Sequence, residues 1–161
     1  MNKLILTAAL LAGATLAPAA TAQDSAALEA ALPKPAPGKG QIVVFRPSGM
    51  GMAVKCTVRE NGKFLTRVGN ARYDVIEAEP GTHTLTAKSE ATDTISLLVE
   101  DGETAYAKCK ISMGVMVGRP NLSPATEDEF RSAMAKMKPM EKAKLAEEKA
   151  KDEADLAKAA K

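Results

Sequence analysis

The stretch Ala53-Val54-Lys55-Cys56-Thr57-Val58-Arg59-Glu60-Asn61-Gly62-Lys63-Phe64-Leu65-Thr66-Arg67-Val68 decides the fold class. Val54, Cys56 and Val58 alternate with Lys55, Thr57 and Arg59. That period of two puts apolar side chains on one face of a strand and polar ones on the other. Asn61-Gly62 follows, and both residues tolerate the positive φ that a two-residue hairpin turn demands. The pattern predicts two antiparallel strands, 53–60 and 63–68, with one apolar face.

Outward from this hairpin the same signals repeat. Before it stands Gln41-Ile42-Val43-Val44-Phe45-Arg46, ended by Pro47-Ser48-Gly49. After it comes 72–78, with Tyr73 and Val75 on one face. Pro80-Gly81 then turns the chain into 82–88, where His83, Leu85 and Ala87 share a face. Residues 94–100 place Ile95, Leu97 and Val99 inward. Past Asp101-Gly102, 104–112 aligns Ala105, Ala107, Cys109 and Ile111. An eighth run is expected at 114–118, leading into Arg119-Pro120. Turns recur about every 8–12 residues, and no helical pattern separates the runs, which argues against parallel strand–helix–strand units. The expectation is an all-β fold: an antiparallel β-sandwich of about 7–8 strands over residues 41–122.

The flanks differ from this core. Residues 1–22 read as a signal peptide: Met1-Asn2-Lys3 is a positive start, 4–16 an apolar run, and Ala20-Thr21-Ala22 a small-x-small cleavage site. Cleavage is expected between Ala22 and Gln23, which delivers the chain to an exported, oxidising space, most simply a bacterial periplasm. Residues 23–40 form a Pro-rich leader, where Pro33, Pro35 and Pro37 favour an extended linker. Residues 123–161 read as a charged helical tail. Thr126-Glu127-Asp128-Glu129 supply a cap and acids at a helix start. Phe130, Met134 and Met137 form a stripe, Pro139 interrupts, and from Met140 the chain is almost wholly Ala, Lys, Glu, Asp and Leu. Met134-Ala135, Leu145-Ala146 and Leu156-Ala157 recur about every 11 residues. Two readings of the tail stand: a solvated helix, or one that associates with itself or with a partner.

Charge narrows the function classes. The 161 residues carry 22 Lys plus Arg against 20 Asp plus Glu, a net +2, which excludes a strongly basic nucleic-acid binder. No internal run reaches the ~18 apolar residues of a membrane span. Two cysteines are too few for a four-Cys zinc site.

The core resembles domain of unknown function 2846, a family of bacterial exported proteins and lipoproteins. The residues that carry the resemblance are Phe45-Arg46-Pro47-Ser48, Asn61-Gly62-Lys63, Tyr73, Glu79-Pro80-Gly81-Thr82-His83-Thr84-Leu85, Gly102-Glu103-Thr104-Ala105-Tyr106 and Gly114-Val115-Met116-Val117-Gly118-Arg119-Pro120. They span residues 41–128. The resemblance implies a β-sandwich module of unassigned function and brings no catalytic residues. Many members carry a lipid-bearing Cys after the signal; no Cys stands near the expected cut here. The charged tail also extends beyond the family core.

Few residues invite chemistry. Cys56 and Cys109 both fall on apolar strand faces, and in an oxidising compartment they are expected to form a structural disulfide. The alternative is a pair of buried thiols acting as small hydrophobes. His83 is the single histidine, without a Gly-x-Ser-x-Gly, His-Glu-x-x-His or phosphate-loop motif beside it. It is read as a core-edge residue hydrogen-bonded to backbone at the turn. Met50, Met52, Met113 and Met116 are soft thioethers that suit Cu(I) if their loops meet. Otherwise they fill gaps in a core poor in aromatics. Arg46 and Arg119 precede prolines; they are read as pairing with a nearby acid or capping a strand edge, with an anionic ligand as the alternative. No catalytic or cofactor-binding residue is assigned. The expectation is a non-enzymatic exported accessory module that binds another envelope component, a protein or the cell wall. A periplasmic Cu(I) binder is the alternative.

Overall fold

A computed structural model describes residues 26, 28–88, 92–114 and 118–159. The expected signal peptide and Met116 lie outside the described residues.

Among the described residues nine strands form two sheets. β1 (Gly40–Arg46), β4 (Arg72–Ala78), β7 (Thr104–Met113), β8 (Gly118–Ala125) and the short β9 (Lys138–Pro139) make one, in the order β8-β7-β1-β4-β9. β2 (Cys56–Glu60), β3 (Lys63–Val68), β5 (Gly81–Lys88) and β6 (Thr92–Val99) make the other, in the order β3-β2-β5-β6. The sheets pack face to face as a sandwich. At the β2–β3 hairpin Asn61 and Gly62 take φ of 49° and 77°, the backbone the Asn-Gly pair predicts.

β1 explains the layering. Every one of its residues is buried, the mark of a strand covered on both faces. Ile42 and Val44 join Cys56, Val58, Leu85, Val99 and Cys109 between the sheets. Val43 and Phe45 point the other way, beneath helix α1 (Glu127–Met134). Gly40 opens the strand where no Cβ fits: one would lie 2.3 Å from a Val99 methyl and 2.6 Å from the Glu100 carbonyl. Thr126 caps α1 in a reciprocal capping box with Glu129. Phe130 then drops from α1 against Phe45 and Tyr73, with ring centroids 5.3 Å away in each case. Leu28, Ala31 and Leu32 of the leader extend this second core.

Three details depart from the sequence reading. β1 pairs antiparallel with β4 but parallel with β7, and β9 pairs parallel with β4, so the first sheet is mixed. Alternation reports which face a residue takes; it carries no information on strand direction. The eighth described strand is Gly118–Ala125; of the expected run 114–118, residues 115–117 lie outside the described residues. It contains Pro120 and Pro124, which an edge strand tolerates because a missing N–H there costs no ladder bond. The helical tail accordingly begins at the Thr126 cap, after Ser123 has been used in β8.

Cys56 of β2 and Cys109 of β7 form a disulfide, their Cα atoms 6.6 Å apart. It ties one sheet to the other through the centre of the main core.

Candidate functional site: a cationic sheet face beneath the C-terminal helix

The alternation that buries Cys56 and Val58 turns Thr57 and Arg59 outward, with Lys55 on the same side just before β2. Arg67 of β3 joins them. Its Nε donates to the Thr57 hydroxyl at 2.7 Å, which fixes the plane of the guanidinium. Three cations therefore share the outer face of the second sheet.

Helix α2 (Lys142–Ala159) lies on this face. Glu148 and Asp152 stand four residues apart, hence on one side of the helix and about 6 Å apart along it. Lys55 donates to one Glu148 oxygen, and Arg67 Nη1 donates to the other at 2.7 Å. Arg59 donates to Asp152 Oδ1, and Arg67 Nη2 reaches the same oxygen at 3.2 Å. Arg67 thus bridges both carboxylates. The hydrogen bond from Lys55 is the main reason that the Glu148 carboxyl sits below its ordinary pKa; burial opposes the shift and Arg67 reinforces it.

The attachment is almost purely ionic. Glu148 and Asp152 are 6% and 3% exposed, and no other described side chain of α2 is buried. Leu145 is half-buried and Leu156 is exposed. An amphipathic helix normally docks through an apolar stripe; here acids occupy that position. The fit is incomplete as well. Asp152 Oδ2 and Arg59 Nε are buried without a hydrogen-bond partner among the described residues. Beside the start of α2 a cleft of about 210 Å³ opens between Lys55, Arg67, Arg72 and Lys144, with Met52 and Met140 as its apolar walls.

The sequence reading missed this site. It left the tail as either a solvated helix or one that associates with itself or with a partner, and the sandwich itself holds two of its acids. The one available signal was the match between outward cations at alternate strand positions and acids at i and i+4 in a tail that lacks apolar residues.

The residues singled out from sequence are placed as follows. His83 lies at the edge of the core, as expected, and links two turns. Its Nδ1 is 2.6 Å from Glu60 Oε1 and its Nε2 is 2.8 Å from the Glu79 carbonyl. Burial, the largest influence, pulls its pKa down; the bonds to Glu79 and Glu60 together outweigh it and leave a net rise. Arg46 is buried and pairs with no acid among the described residues: it donates to the carbonyls of Val54, Met50 and Gly51, and so pins the 47–55 loop. Arg119 lies on β8 opposite Ser112.

Met50, Met52 and Met113 do not fill the core: they are 62%, 78% and 81% exposed. Gly51 abuts Ile111, since a Cβ on it would lie 2.7 Å from an Ile111 methyl. The 50–52 turn therefore sits beside the end of β7 that carries Met113. Among the described residues no three His, Cys, Asp or Glu side chains converge as metal ligands. No described helix is long and apolar enough to cross a membrane.

Comparison with known proteins adds one relative. A Haemophilus influenzae protein, called only an uncharacterized protein, is 26% identical over 107 residues, 64% of this chain. The match covers 62% of that protein's length, less than two thirds. No family model matches the chain.

Proposed function

We propose that the chain is an exported, non-enzymatic binding module of the bacterial cell envelope, with the outer face of β2 and β3 as its partner surface. The observation that carries this reading is the mode of attachment of α2. A sheet face with three cations holds a helix by two carboxylates and almost no apolar contact. Such a face is suited to exchange occupants. Two further features support the setting. Residues 1–22 carry the signal-peptide pattern, and a buried disulfide suits an oxidising compartment. The likeness to domain of unknown function 2846 agrees with an envelope role and is part of the proposal.

The test is site-specific cross-linking in intact cells. A photoreactive residue at position 69, which lines the cleft beside Arg67, should capture an envelope component; one at position 127, on α1 at the opposite side of the sandwich, should not. Equal capture at both positions, or none at 69, contradicts the reading. The intact mass of the periplasmic protein should begin at Gln23 and rise by one hydrogen pair on reduction.

The exposed thioethers favour a second reading, a Cu(I) site that uses Met50, Met52 and Met113, with Met116 as a further ligand. Three solvent-facing sulfurs at one end of the sandwich fit a soft metal ion better than core packing. Titration of Cu(I) against a bicinchoninate competitor tests it. Competition that disappears on replacing the methionines with Leu supports the site; no competition by the natural chain ends it.

A further inference from the structure

We infer that α2 is a displaceable strap over a site whose ligand is an acidic helix of a partner protein, with two carboxylates four residues apart. The inference rests on the binding-module reading and specifies its partner. Arg59 and Arg67 are recessed beneath α2, their side chains each 20% exposed. They receive carboxylates that project from a narrow convex rod, one turn apart. A flat polyanionic surface reaches exposed, snorkelling cations more easily than recessed ones. The seated helix is therefore itself a template of the ligand.

Displacement follows from what holds the strap. Lys55 keeps 46% of its side chain exposed, and an ion pair that close to solvent is weak and screened by salt; the two arginine pairs are recessed and are screened less. Among the described side chains of α2, the half-buried Leu145 is the one apolar anchor. Arg59 Nε, which α2 leaves buried without a partner among the described residues, is a donor that a better-fitted helix can satisfy, and Asp152 Oδ2, likewise unpartnered, regains water when the strap leaves. Upstream, β9 and Met140 keep the strap tethered: the Met140 amide donates to the Tyr73 carbonyl at 2.7 Å. The face is thus covered at rest, and a partner's apparent affinity is reduced by the fraction of molecules that are open.

The experiment uses the full chain and a fluorescent Ala-rich helical peptide with Glu and Asp at i and i+4, at low ionic strength. Three proteins are compared: the natural chain, Glu148→Gln/Asp152→Asn, which weakens the strap and keeps the face, and Arg59→Gln/Arg67→Gln, which removes the face. The strap variant should bind the peptide at least about tenfold more tightly than the natural chain. The face variant should not bind, nor should a peptide with Gln and Asn in place of the acids. If the face variant fails to fold, Arg67→Lys replaces it; the charge stays, the fork that bridges both acids is lost, and binding should weaken. Equal binding by strap variant and natural chain overturns the inference, as does binding that survives in the face variant. Binding of dextran sulfate by the strap variant without binding of the acidic peptide overturns it in favour of a polyanion. Cross-linking at position 69 that persists when peptide binding fails leaves the module standing with a different ligand; loss of both removes both.

Discussion

Breaking the Cys56–Cys109 bridge should cost about 4 kcal/mol. The bridge closes a segment of 53 residues. In the chain-entropy account a loop of that length restores about 14 cal/mol/K to the unfolded chain when it is opened, which is about 4 kcal/mol at room temperature. Both cysteines are fully buried. Replacing both with Ala therefore adds a packing loss of about 1 kcal/mol, whereas reduced thiols still fill the space. Against a domain stability of about 5–15 kcal/mol the effect is large. At about 4–8 °C per kcal/mol for a domain near 100 residues, Tm should fall by about 15–30 °C. Thermal unfolding followed by circular dichroism, on oxidised, reduced and Cys56→Ala/Cys109→Ala protein, measures it. The order should be oxidised, then reduced, then the double variant. A gap of less than about 1 kcal/mol between oxidised and reduced protein would refute the loop-entropy reasoning.

Two further outcomes follow. Phe130→Ala should destabilise by about 3–5 kcal/mol in chemical denaturation, because a fully buried ring that touches Phe45, Tyr73 and Tyr106 leaves a cavity that the sheet cannot fill. His83 should titrate above its ordinary 6.5 when followed by NMR, since both ring nitrogens face acceptors and only the imidazolium satisfies both. A raised folded pKa gives stability that is fully present below the unfolded value and fades as pH rises through the folded one. The advantage of the natural chain over His83→Gln should therefore be greatest in acid and shrink as pH climbs past 6.5; an advantage that grows with pH contradicts the bridge.

Much of the fold was legible because local rules agreed with one another. Asn61-Gly62 fixed the hairpin. Alternation put Cys56 and Cys109 inside, and the unbroken run 41–46 matched a strand buried on both faces. Direction was not legible: β1 finds an antiparallel neighbour in β4 and a parallel one in β7, and pleat alternation is the same in either case. A strand at 118–125 was not legible because Pro120 and Pro124 disfavour a ladder, and only an edge position excuses them. The candidate site was the least legible part. Glu148 and Asp152 have the composition of solvated surface, and their burial depends on cations about 90 residues earlier in the chain. The methionines failed in the opposite sense: Met50, Met52 and Met113, expected inside unless their loops bind metal, stand in solvent, the first two on a loop that the buried Arg46 holds in place.

Amide hydrogen exchange across α2 at about 0.01 M and about 1 M ionic strength tests the ionic strap most directly, because these conditions span the range over which close charges become screened. The account predicts that α2 amides are protected at low salt and lose protection at high salt, while β2 and β3 keep theirs. Protection of α2 that is unchanged by salt would mean that something other than charge holds the helix, and would contradict both the strap and the exchangeable face beneath it.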